Sequence, residues 1–96
     1  MGQLKVTSRL VLGTQAEVLL EGTVDFRTFE ELHKYLLRVL AEHPETIRID
    51  MRNVTYLSSV GVWTLIDAQI RAREQGASLV VAQCRLRRRQ AAMRRP

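Results

Sequence analysis

The sequence holds a single cysteine, Cys84, so no internal disulfide can staple the fold, a composition that suits a reducing compartment. No apolar run approaches the roughly 18 residues needed to cross a bilayer. Met1-Gly2-Gln3-Leu4-Lys5 is not followed by the apolar stretch of a signal peptide. A soluble, cytoplasmic protein without membrane insertion is therefore expected. A glycine-rich phosphate loop is also missing, because Gly13, Gly22, Gly61 and Gly76 stand alone. His33 and His43 are ten residues apart and Cys84 has no partner ligand nearby, so no metal-binding spacing exists. Both histidines read as surface or core-edge residues, and Cys84, after an apolar strand, as a packing residue. Neither Ser58 nor Ser59 lies in a Gly-x-Ser-x-Gly setting. The expectation is a protein that is not an enzyme, with no cofactor, metal or small-molecule substrate.

What the sequence does have is core material. Its 96 residues are 46% hydrophobic, enough for one domain with a single core. The formal net charge of +5 is unevenly spread. Six of the 15 basic residues lie in the last twelve positions, and residues 1–84 carry nine against ten acids. A near-neutral body thus precedes a basic tail. Residues 1–84 read as the domain and 85–96 as a short basic helix or tail belonging to it.

Leu4, Val6, Ser8, Leu10 and Leu12 alternate with Lys5, Thr7, Arg9 and Val11, the two-residue period of a strand. A turn at Gly13-Thr14-Gln15 and a second run over Ala16–Glu21, ended by Gly22, predict an antiparallel hairpin. Thr28 and Glu31 have the spacing of a capping box. Phe29, Leu32, Leu36 and Leu40 then mark one helical face to about His43, before Pro44. Ile47 and Ile49 predict a short strand ending near Met51, with Asn53–Leu57 as a connector. A second helix is expected from about Ser59 to Gln75, with Val62, Leu65, Ile66 and Ala72 toward the core and Asp67, Arg71, Arg73 and Glu74 toward water. Gly76 suits the left-handed backbone of a helix stop. Ala77–Ala82 reads as a continuous apolar strand of the kind buried on both faces. Arg85–Arg95 allows a last helix with a thin apolar face. The order β-β-α-β-α-β-α implies an α/β fold, a small mixed sheet with parallel pairs and right-handed crossovers, packed by helices.

The segment Val54–Val62 carries the most chemical information, because it joins a strand to a helix start. A serine there lies in the field of free N–H groups and a helix dipole that favour negative charge. One reading is an N-cap, worth about 1 kcal/mol. The other is a switch: a phosphate would add about −1.5 to −2 charges, tolerated by the helix and repelled by a partner seated over it. Trp63 is four residues beyond Ser59, on the same helix face. If Ser59 faces outward, Trp63 can do the same and would anchor an interface; the alternative for Trp63 is packing in the core.

Glu21-Gly22-Thr23-Val24-Asp25, the helix opening at Thr28, Ile47–Asp50, Val54–Gly61 and Gly76–Val81 together resemble the STAS domain family, over about residues 3–83. The most specific pieces are Gly22-x-x-Asp25 and the serine turn. In the anti-sigma-factor antagonists of that family the turn reads Asp-Ser-Ser-Gly or Ser-Ser-Ala-Gly. Aligned on Gly61, the phosphorylated serine is Ser59, and Ser58 replaces the aspartate. The resemblance implies a STAS-like fold and a protein-binding switch in bacterial transcription regulation. Its partner would be a serine kinase that is itself an anti-sigma factor, released when Ser59 is phosphorylated. The implied partner surface comprises Asp25, Ser58, Ser59, Val60, Gly61 and Trp63. The alternative is an accessory or scaffold subunit of a lipid-transport ABC ATPase or a stress-signalling assembly. A homodimer is left open, as is nucleic-acid binding through the tail Arg85–Arg95, which would be strongly salt-dependent.

Overall fold

The computed structural model describes residues 3–11 and 14–82. The elements are β1 (Leu4–Val11), β2 (Gln15–Val24), α1 (Phe29–Ala41), β3 (Thr46–Leu57), α2 (Ser59–Glu74) and β4 (Ser78–Ala82). One four-stranded sheet has the order β1-β2-β3-β4. β1 pairs antiparallel with β2, and β2 with β3 and β3 with β4 pair parallel. The expected mixed α/β architecture is therefore present. The predicted last helix and Cys84 lie outside the described residues.

The two-residue period sorts each strand into two faces. Val18, Leu20, Ile47, Ile49, Met51 and Leu79 point to one face and form a single core with Leu32, Leu36, Val39 and Leu40 of α1 and Leu65, Ala68 and Ala72 of α2. The opposite face carries Arg9, Glu17, Leu19, Arg48 and Asp50, which line a shallow groove of about 630 Å³. None of the serine-turn residues lines that groove.

Four local expectations are corrected. Gly22 does not end β2; the strand runs through it to Val24. Its φ of 108° is a left-handed value, and a Cβ there would collide with the Gln3 carbonyl, so glycine is what lets the strand continue. Asn53–Leu57 is not a connector but the second half of β3. Register shifts opposite Leu19/Glu21 and Gly22/Thr23 break its alternation, and so hide it from a periodicity argument. The Ala77–Ala82 run is an edge strand, with Val80 exposed. The Thr28–Glu31 capping box is absent: the Thr28 hydroxyl donates to the Thr23 carbonyl at 2.9 Å and accepts from the Asp25 N–H at 3.0 Å, bracing the loop behind it.

Candidate functional site

The site begins where two parallel strands stop side by side. Val24 pairs with Leu57, and the Ser58 N–H donates to the Val24 carbonyl at 2.9 Å. The Asp25 turn and the Ser58 turn therefore leave the sheet together at its carboxyl end, where ligands and partners commonly meet α/β sheets.

Ser58 is the N-cap of α2, in extended backbone, and its Oγ accepts from the Gly61 N–H at 3.4 Å. Ser59 is the first helical residue and is exposed. The first turn of α2 carries no acidic residue, so nothing on the helix itself opposes an anion at its positive end. Gly61 faces inward. A Cβ there would stand 2.6 Å from Leu57 Cδ1 and 2.8 Å from Val24 Cγ1. The close approach of α2 to the strand ends thus depends on glycine at this position.

Asp25 is buried. Its Oδ1 accepts from the Arg27 N–H at 2.9 Å, its Oδ2 lies 3.6 Å from the Arg27 guanidinium, and its carbonyl accepts from the Thr28 and Phe29 N–H groups. The carboxylate is thus engaged in shaping its own turn. Phe26 and Arg27 are the turn's exposed side chains, with the Arg27 guanidinium 5.5 Å from the Phe26 ring centroid.

Trp63 is 53% exposed. Val62 and Ile66, expected in the core, are instead exposed, and Ile70 continues the line. Positions 59, 62, 63, 66 and 70 share one helix face, so an apolar stripe descends α2 directly from Ser59. The inward face belongs to Gly61, Thr64, Leu65, Ala68 and Ala72. Val62 and Ile66 are the residues a core-seeking reading misses as surface; their spacing from Ser59 and Trp63, three residues each, is the available signal.

His33 of α1 reaches this face. Its Nε2 lies 2.7 Å from Asp67 Oδ2, and the Arg71 Nε–H donates to the same oxygen at 2.8 Å. The His33 and Trp63 ring centroids are 5.8 Å apart, tilted by 42°. The hydrogen bonds from His33 and then Arg71 hold the Asp67 carboxyl below its ordinary range. Among the described residues no group of three or more His, Cys, Asp or Glu side chains can hold a metal ion, and no helix is long and apolar enough to cross a membrane.

Three solved structures share the fold. An anti-sigma-factor antagonist from Mycobacterium paratuberculosis superposes with a TM-score of 0.75 at 22% identity, covering 95% of this chain and 79% of that one. The STAS domain of an antisigma-factor antagonist from Rhodobacter sphaeroides gives 0.72 at 20% identity, covering 83% and 86%. The Bacillus cell fate determinant SpoIIAA in its phosphorylated form gives 0.72 at 12% identity, covering 93% and 82%. At such identities these likenesses establish the fold. No curated protein matches the chain. The family model described as "Mlab, STAS domain" matches residues 11–95, and the chain belongs to the STAS domain family.

Proposed function

We propose that this STAS domain is a non-enzymatic, protein-binding switch of the anti-sigma-factor-antagonist kind, working in the cytoplasm and regulated by phosphorylation of Ser59. The observation that carries the reading is the exposed Ser59 hydroxyl at the first position of α2, between the Asp25 turn and Trp63. Structural neighbours named as anti-sigma-factor antagonists support it, among them SpoIIAA, which has also been solved in a phosphorylated form.

The unmodified domain binds a serine kinase that also acts as an anti-sigma factor, with Asp25, Ser58, Ser59, Val60, Gly61 and Trp63 in or under the contact. The kinase transfers the γ-phosphoryl group of ATP to Ser59 Oγ, and ADP and the hydroxyl proton leave. The new phosphate sits at the positive end of α2, where free N–H groups favour it. The partner then faces a hydrated, charged group in place of a small hydroxyl, and the complex separates.

The test is intact-mass measurement after incubation with ATP, Mg²⁺ and candidate serine kinases. Wild type gains one phosphate, Ser59→Ala gains none and still binds, and Ser59→Asp binds more weakly. Equal affinity of wild type and Ser59→Asp for the kinase overturns the switch.

A second reading, an accessory subunit of a lipid-transport ABC ATPase, is favoured by one observation, the Mlab description of the matching family model. Co-purification with a transport ATPase, without labelling by any kinase, selects this reading.

A further inference from the structure

The surface tryptophan lies beside a side chain of the neighbouring helix α1. Asp67 is held by two donors that converge on one oxygen, His33 Nε2 at 2.7 Å and Arg71 Nε at 2.8 Å. An ionised carboxylate only accepts, so His33 must present a proton on Nε2, which fixes the plane and tilt of its ring. That ring lies against Trp63, 5.8 Å between centroids. Asp67, Arg71 and Trp63 are all on α2, whereas His33 comes from α1. His33 and Asp67 are both largely covered, their side chains 22% exposed, while the indole stands out from the surface.

We infer that His33 is a positioning residue for Trp63: anchored on Asp67, it fixes the orientation in which α2 presents the indole to a partner. The inference rests on the partner-binding reading of this face. A half-exposed aromatic without such a neighbour samples several rotamers, and ordering it on association weakens binding. Pre-ordering by His33 contributes about a three- to tenfold gain in affinity, the size expected for one immobilised side chain.

The sequence contains one tryptophan, so the indole band of the near-ultraviolet circular dichroism and the anisotropy of fluorescence excited beyond the tyrosine absorption, both taken on the free full-length chain, report on Trp63 alone. His33→Ala loses most of the indole band and lowers the anisotropy. His33→Gln, whose amide still donates to Asp67, restores part of both. Asp67→Ala, which leaves the His33 ring in place but unanchored, gives an intermediate loss. An indole band and anisotropy unchanged in both His33→Ala and Asp67→Ala overturn the inference.

The binding arm uses the serine kinase found to label Ser59. His33→Ala weakens the complex three- to tenfold in the wild-type background and has no further effect in Trp63→Ala. A general loss of structure would weaken both backgrounds equally, and that result also overturns the inference. If no kinase binds wild type, the proposed function fails while the spectra still decide the role of His33.

Discussion

Helix α2 has two apolar faces of opposite character. The inner face, against the sheet, is built mostly of small residues: Gly61, Thr64, Ala68 and Ala72, with Leu65 the one large aliphatic. The outer face carries Val62, Trp63, Ile66 and Ile70, all exposed. In an ordinary surface helix the large apolar side chains point to the core, because each removes the most area from water there. Here they point away. The inner face is designed for closeness, and small side chains let the helix backbone lie down on Leu57 and Val24. The outer face contributes little to folding, and its composition matches the centre of a protein interface. On the proposed reading, stability and recognition are divided between two sides of one helix.

The division can be broken from either side. The largest effect should come from the inner face. Gly61→Val places methyl groups into space already occupied by Leu57 and Val24, and urea unfolding should show a loss of about 3 kcal/mol, the upper end for overpacking. A stability unchanged by this substitution would mean that α2 does not sit tightly on the strand ends.

The outer face should behave in reverse. Trp63→Ala should weaken partner binding by about 2 kcal/mol, as removal of an interface anchor does, measured by titration calorimetry. Ile66→Gln and Ile70→Gln should leave the unfolding midpoint within about 0.5 kcal/mol of wild type. A large loss of stability from either would return the outer stripe to the core.

The two adjacent serines sharpen the contrast at smaller scale. Ser58 caps the helix through a long 3.4 Å hydrogen bond, so Ser58→Ala should lower stability by about 0.5 kcal/mol, the low end for a lost cap. Ser59→Ala should leave thermal stability unchanged while removing the proposed phosphate acceptor.

The smallest effect lies in acid. Donors from His33 and Arg71 depress Asp67, and a hydrogen bond from Arg52 depresses Asp50. A carboxyl with a lowered folded pKa contributes stability that is present above its ordinary value of about 3.9 and is lost as pH falls through the lower folded value. Unfolding midpoints should therefore drop below about pH 4, more gently in His33→Ala, which removes the largest cause of the Asp67 shift. Midpoints flat from pH 5 to about pH 2 would show that neither carboxylate is held this way.

The order and type of the described elements were legible in the sequence because alternation and helical spacing are strong in β1, β2 and α1. The serine turn was legible too, as a strand-to-helix junction with its hydroxyls at the helix start. What misled were places where two patterns overlap. With both faces of α2 apolar, hydrophobicity alone cannot say which is buried, and size was the overlooked clue: Val62 and Ile66 went to the core on paper because they are large. The second half of β3 escaped because its bulges place Arg52 and Asn53 in succession on the outside. The run Leu79-Val80-Val81 reads as central, yet among the described strands β4 has only one neighbour. Contact between His33 and Asp67 spans 34 residues and has no local signature at all.

The tight seat of Gly61 has a mechanical meaning. A helix seated this closely on two strand ends has little room to slide or tilt at its tip. Under the proposed switch, a bulky group added to Ser59 would therefore be met chiefly by whatever stands opposite, and the domain would act as a rigid button whose height is altered, with the rest of the fold serving as its backing plate.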